Sequence, residues 1–215
     1  MTIAKLIICD VNSDKRGDFS TSQCSWAQLS NCDGFGGQAG GWEDSSSTAT
    51  ILGFWESQRH VGEFMKSIHD EIFKRNNQES TYNSCSVDYF ELISIISGSN
   101  VNFSHGGLFS IIYCSGVTNL DKFTRDQEAI WNSPRLQQSG MLSAHIWRHI
   151  TLEDNYMVVS HWESKNAHEQ YLRDMSLTLR PQACPSDYVE TISSSIVELE
   201  TLWSIVPNKQ ISWKV

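Results

Sequence analysis

An internal repeat constrains this chain more than any other feature. The segment around Trp26, Trp42 and Trp55 returns around Trp131, Trp147 and Trp162. Cys9 and Cys114 stand 105 positions apart, as do Trp26 and Trp131. Gly34-Phe35 and Gly140-Met141 stand 106 apart, and Trp-Glu-Ser at 55–57 recurs at 162–164 with an offset of 107. Glu91-Leu92 and Glu198-Leu199 keep that last offset. So steady a spacing predicts two copies of one unit of about 100 residues, a usual domain size.

Each copy carries the same order of elements. Ile3 to Val11 is an apolar run of strand length, and Ser13 with Asp14 offers a cap for a helix carrying Phe19, Ser22, Trp26 and Leu29. A strand through Trp42, a polar turn and the β-rich run 48–55 read as a hairpin. Ser57 then caps a helix with Val61, Met65, Ile68 and Ile72 at helical spacing, and a strand over 87–96 closes the copy. The second copy reads as a strand at 108–114, a helix through Phe123 and Trp131, a hairpin at 141–162, a helix from 165 to about 179 with His168, Tyr171 and Leu172, and a last strand at 195–203. Pro181 and Pro185 mark 180–186 as a loop. The expected organisation is a first domain at 1–97, a polar linker at 98–107 and a second domain at 108–215. The expected fold class is α+β: tandem ferredoxin-like βαββαβ domains whose antiparallel sheets pair into an α/β barrel. Each such domain buries one sheet face under its helices and leaves the other needing a partner. A monomer with an intramolecular pseudo-dimer meets that need, and so does a homodimer.

Composition excludes several classes. The formal net charge of −9 and the lack of a basic patch argue against nucleic acid. No apolar run reaches 18 residues, and Met1 to Val11 lacks the parts of a cleavable signal, so no membrane partner is expected. Six cysteines without a CxxC pair read as reduced thiols of a cytoplasmic protein. Cys9 and Cys114 read as buried, inert thiols.

The element order and the Trp-Glu-Ser step from strand into helix resemble the dimeric α/β-barrel superfamily, which includes antibiotic-biosynthesis-type and haem-degrading monooxygenases. More closely, the chain is similar to the YdbC-like bacterial family of tandem domains, itself without assigned chemistry. Trp26, Gly34-Phe35, Gln38, Gly40-Gly41-Trp42, Phe54-Trp55, His69-Asp70, Asn76, Gln78 and Thr81-Tyr82 carry that likeness in the first copy. Trp131-Asn132, Gly140-Met141-Leu142, Trp162, His168, Tyr171, Leu179-Arg180, Asp187 and Trp203 carry it in the second. In haem-degrading relatives a catalytic tryptophan and an iron-ligating histidine follow the strand tryptophan by nine and nineteen residues. Phe64 and Lys74 hold those places in the first copy and Tyr171 and Pro181 in the second, so that site is not reproduced. Antibiotic-biosynthesis-type relatives oxidise electron-rich aromatics without metal or flavin, using polar residues in a pocket between sheet and helices.

Local constellations supply the candidates. His69 falls beside the apolar stripe of its helix, where an imidazole suits a general base because it titrates near neutrality, or braces the loop at 76–82. Asp70, four residues from both Lys66 and Lys74, reads as a surface pairing rather than a partner for His69. His145, Trp147 and His149 share one strand face and Arg148 takes the other. If hairpin partners sum to 306, His145 lies opposite His161, whereas a one-residue slip separates them; structural histidines are the plainer reading. The tryptophans fill a core or form an aromatic box: Trp26, Trp55, Trp131 and Trp162 read as core fillers, and Trp42 and Trp147 are the better pocket candidates. Gly36-Gly37 and Gly40-Gly41 suggest close backbone approach or a bulge.

These features describe an enzyme for a hydrophobic or aromatic, polyketide-like small molecule. Its chemistry is oxygenation, proton transfer or cyclisation without a bound cofactor or metal. His69, Tyr82, His145 and Arg148 are the expected catalytic residues, and Trp42, Trp147, His161, Phe64 and Tyr171 the expected substrate-binding ones. A non-catalytic binding or sensor protein would use the same pocket. Divergence between the copies points to one specialised pocket rather than two.

Overall fold

The computed structural model describes residues 1–44, 46–98, 106–132 and 140–215. The expected linker at 98–107, with His105, falls largely outside the described residues.

The chain forms two compact units. The first is built from Met1–Leu92 and from residues 197–215; the second is built chiefly from residues 107–196 together with 93–98. In the first unit the elements are β1 (Ile3–Val11), α1 (Arg16–Gln23) continuing as a 3-10 helix to Asn31, β2 (Phe35–Glu43), β3 (Thr48–Trp55), α2 (Gln58–Ser67), α3 (His69–Asn76) and β4 (Tyr82–Ser97). In the second they are β5 (Leu108–Val117), α4 (Leu120–Asp126) followed by a π turn to Asn132, β6 (Met141–His149), β7 (Tyr156–Trp162), α5 (Lys165–Tyr171), α6 (Leu177–Ala183) and β8 (Val189–Leu199). β4 passes from the first unit into the second, and β8 ends in the first. The strand order β1-β3-β2-β8-β5-β7-β6-β4 is cyclic, and this gives the α+β, antiparallel-barrel topology that the repeat predicts.

In the first unit, β1 lies between β3 and β4, with Lys5 opposite Gly53 on one side and Tyr89 on the other, while Gln38 of β2 faces Gly53. Side chains alternate along a strand. Lys5, Ile7, Cys9, Gln38, Cys85 and Val87 therefore share the face beneath the helices. Phe19, Trp42, Ile51 and Trp203 form a core cluster at one end. Trp203 lies in a 3-10 turn after β8 rather than in the strand expected over 195–203. Its ring packs 5.1 Å from Trp42 and 5.4 Å from Phe19.

Gly41 fulfils the close-approach reading, because a Cβ there would collide with the carbonyl of Glu198, the residue paired with Trp42. A register shift between Phe35 and Gly37 supplies the bulge. The single helix expected after Ser57 breaks at Ile68, where φ −111° and ψ −12° end α2 and α3 begins at His69. Ser57 caps without a side-chain bond to the backbone, and its hydroxyl instead pairs with His60 Nδ1 at 3.0 Å. Ser164 does cap α5, accepting from the Ala167 amide. The loop expected at 180–186 is helical as far as Ala183, with Pro181 inside α6.

No helix among the described residues is long and apolar enough to cross a membrane.

Candidate functional site

Between the sheet and helices of the first unit lies a cavity of about 260 Å³. Its sheet wall is Lys5, Ile7, Cys9, Gln38 and Gly53, with Tyr82, Cys85 and Val87 from β4. The helices contribute Trp26, Leu29, Phe64, His69, Phe73 and Gln78. Gly53 creates part of the space, since a Cβ there would meet only Trp55 Nε1 at 3.7 Å and Gln38 Oε1 at 3.9 Å.

Aromatic rings hold the helix side together. Phe64 stacks on Trp55 at 5.0 Å between centroids, and the His69 imidazole packs 5.5 Å from both Trp26 and Phe64 and 6.0 Å from Phe73. The break at Ile68 starts α3 at His69. His69 Nδ1 lies 3.0 Å from Asp70 Oδ1, so the carboxylate expected to pair only with lysines partners the imidazole. A proton on Nδ1 donated to Asp70 leaves the lone pair on Nε2. The same bond holds the Asp70 carboxyl below its ordinary range. The His69 side chain is 19% exposed, enough for proton exchange with solvent.

Lys5 is the charged group that the sequence reading passed over. It is 6% exposed, its Nζ donates to Met65 Sδ at 3.5 Å, and it lies 5.8 Å from the Phe64 ring centre. Among the described residues no carboxylate pairs with it. Burial lowers its pKa to about 8, against a smaller opposing effect from Cys85. A buried ammonium without a counterion favours an anion or a polarised oxygen nearby. Gln78 adds a directional donor: it is 4% exposed, its Oε1 accepts from Trp26 Nε1 at 2.9 Å, and its Nε2 has no partner. Burial pushes the Tyr82 hydroxyl up to about 12, so at neutral pH it is a protonated donor.

The second unit has its own cavity of about 300 Å³, lined among others by Ser110, Cys114, Trp131, His168, Tyr171 and Tyr188. Each unit thus has a cavity, where divergence of the copies suggested one. By the repeat offsets Ser110 stands where Lys5 does, Trp131 where Trp26 does, Tyr171 where Phe64 does and Tyr188 where Tyr82 does. The second cavity lacks the amine, and burial lowers the pKa of His168.

The structure therefore brings His69, Tyr82 and Phe64 together in the first cavity and puts Tyr171 in the second. The remaining candidates lie elsewhere. His145 pairs with Val159 and Ser143 with His161, a sum of 304, so the two histidines share a face as diagonal neighbours rather than opposing each other. That face, with Trp147, is turned away from Ser160 and Val158, which line the second cavity. His145 is 1% exposed, its Nε2 lies 3.1 Å from the Gly98 carbonyl, and burial lowers its pKa to about 4. It is a neutral imidazole donating to backbone. His161 packs edge-on to Phe109 at 5.2 Å, and Trp147 is fully buried. His149 caps a turn, its Nδ1 accepting from the amides of Thr151 and Leu152. Arg148 pairs with Tyr156 at the far end of β6. Trp42 sits in the core cluster with the Arg16 guanidinium 4.0 Å above its ring. Trp26 and Trp55, read as core fillers, line the first cavity. No group of three or more metal-ligating side chains occurs among the described residues.

Comparison with known proteins places this site in context. Residues 3–90 match the model of a domain of unknown function (DUF4937). The chain is 35% identical over 92 residues to the uncharacterized protein YdbC of Bacillus subtilis, a match covering 41% of this chain and 77% of that one. That relative is little longer than one half of this chain. Solved structures reach both halves. A provisionally named monooxygenase of Fusobacterium nucleatum superposes with a TM-score of 0.74 at 10% identity, covering 100% of this chain and 98% of its own. One from Lactobacillus acidophilus, named in the same way, gives 0.68 at 11% identity, with 96% and 99% covered. An anthrone oxidase-like protein gives 0.68 at 11% identity, with 100% and 97% covered. At these identities the likeness is one of fold.

Proposed function

The chain belongs to the YdbC family, and for it we propose that the first-unit cavity oxidises an electron-rich aromatic ketone or phenol with dioxygen, using its own side chains as acid and base. The carrying observation is that Lys5 and the His69–Asp70 pair flank the same Phe64 ring in the wall of one aromatic-lined cavity. Likeness of fold to an anthrone oxidase-like protein supports the substrate class.

For an anthrone-type substrate, His69 Nε2 removes a proton from the methylene carbon, and the electron pair delocalises onto the carbonyl oxygen. The Lys5 ammonium faces that oxygen and is worth most there because the amine itself is buried. Trp26, Trp55 and Phe64 hold the flat rings, and the free Nε2–H of Gln78 orients the oxygen. Dioxygen takes the electrons and adds to the carbon, and His69 returns its proton to the resulting peroxide. Removal of the second methylene proton breaks the O–O bond, leaving a quinone carbonyl and water. One oxygen atom enters the product and one leaves as water.

The test is oxygen uptake with a panel of anthrones and hydroquinones, with quinone followed by absorbance. Wild type should turn over, and His69→Gln should lose about 10²–10⁴-fold in kcat with ligand affinity kept. Equal turnover in the variant would overturn the assignment. The second cavity, with Ser110 in place of Lys5, supports a second reading for that unit alone, namely binding without chemistry.

A further inference from the structure

Cys9 and Cys85 face each other directly across the β1–β4 ladder. Their sulfurs are 2.8 Å apart, and both side chains line the first cavity. Both are free thiols. Directly opposed residues of antiparallel strands have Cα atoms about 4.5–5.5 Å apart, inside the window of about 4.4–6.8 Å that a disulfide spans.

The two thiols are unequal. Cys9 is 3% exposed, whereas Cys85 lies in the exposed stretch of β4. The hydrogen bond donated by Cys9 Sγ lowers the pKa of Cys85, with Lys5 assisting, and raises that of Cys9. A thiolate is the reactive form of cysteine. The repeat supplies an internal contrast. Cys114 occupies the place of Cys9 in the second copy, but Ile192 stands 107 residues after Cys85, so the pair occurs only beside Lys5.

We propose that Cys9 and Cys85 form a redox-active dithiol in the cavity wall that a hydroperoxide oxidises to a cross-strand disulfide. The Cys85 thiolate attacks the outer peroxide oxygen, the O–O bond breaks, and the leaving alkoxide takes a proton to become an alcohol, leaving Cys85 as the sulfenic acid. Cys9 then attacks that sulfur. The S–S bond forms, the S–O bond breaks, and the hydroxide leaves as water with the Cys9 proton. Two thiols are oxidised by two electrons, and one hydroperoxide is reduced to alcohol and water. Cys85 is the attacking thiol because solvent reaches it, and Cys9 is the resolving one.

The inference stands independently of the oxidation proposed above, because it is read by mass. The full-length reduced protein is treated with a small excess of hydrogen peroxide, and its peptides are mapped under non-reducing conditions. A Cys9–Cys85 cross-link with loss of two hydrogen atoms is expected, and a reductant should restore both thiols. Cys85→Ser should abolish the cross-link, Cys9→Ser should leave a sulfenic acid at Cys85 that dimedone traps, and Cys114→Ser should change neither. Circular dichroism of each variant keeps a folding defect distinguishable. Oxidation confined to the exposed Cys24 and Cys184, or unreacted thiols at positions 9 and 85 in folded wild type, would overturn the proposal.

Discussion

Gly53 permits a test in which stability and binding move in opposite directions. Its backbone is outside the left-handed region, and a methyl group there meets its neighbours at ordinary contact distance. Gly53→Ala therefore adds one buried methyl, about 0.8 kcal/mol, and removes the entropic cost of glycine in a strand, about 0.5–1 kcal/mol. The expected gain is about 1–2 kcal/mol. At about 2–4 °C per kcal/mol for a chain of this size, the melting midpoint should rise by about 2–8 °C. Gly53→Leu should extend into the cavity and weaken binding of an anthrone or naphthol probe at least tenfold by fluorescence titration of the lining tryptophans, in protein that melts no lower than wild type. Stabilisation with loss of function is expected where space is kept for a ligand. A lower melting midpoint for Gly53→Ala, or unchanged probe affinity for Gly53→Leu, would refute the reasoning.

Three further outcomes follow from the same geometry. Gly41→Ala should cost about 1–3 kcal/mol in urea unfolding, because its Cβ and the Glu198 carbonyl claim the same space. Lys5→Met should stabilise the protein at pH 7 while removing turnover. The folded amine has its pKa lowered to about 8, so wild-type stability rises with pH between about 8 and the ordinary lysine value, and that slope should vanish in the variant. His145 has its pKa lowered to about 4, so the unfolded chain binds the extra proton as pH falls from about 6.5. Stability should drop by up to about 3 kcal/mol on the way to pH 4, and His145→Gln should flatten that slope in urea midpoints measured from pH 7 to 5.

The fold was legible because the repeat doubles every signal. Hydrophobic runs and caps at one offset of 105–107 gave the element order in both halves. What the sequence hid depends on backbone details below the reach of periodicity. The break at Ile68 that sets His69 against Asp70 leaves no mark in the apolar spacing of Val61, Met65, Ile68 and Ile72. Pro181 is a loop signal by residue type, yet it lies in the last turn of α6, which ends two residues later at Ala183. The hairpin register at His145 and His161 turned on a bulge between Met141 and Ser143, which shifts partners without altering composition. Lys5 did leave a signal, as the lone cation in the apolar run Ile3–Val11 on the same alternation as Ile7 and Cys9. The Cys9–Cys85 pairing left none, since it joins strands 76 residues apart.

The most direct test of the central claim is proton exchange without oxygen. An anthrone incubated anaerobically in deuterated buffer with the protein exchanges its methylene hydrogens only as fast as a base removes them, and NMR or mass spectrometry reads the rate. The account predicts exchange well above buffer for wild type and at least 100-fold slower exchange for His69→Gln that still binds the ligand. Exchange at the buffer rate in wild type for every aromatic ketone that binds the cavity, or undiminished exchange in His69→Gln, would contradict it.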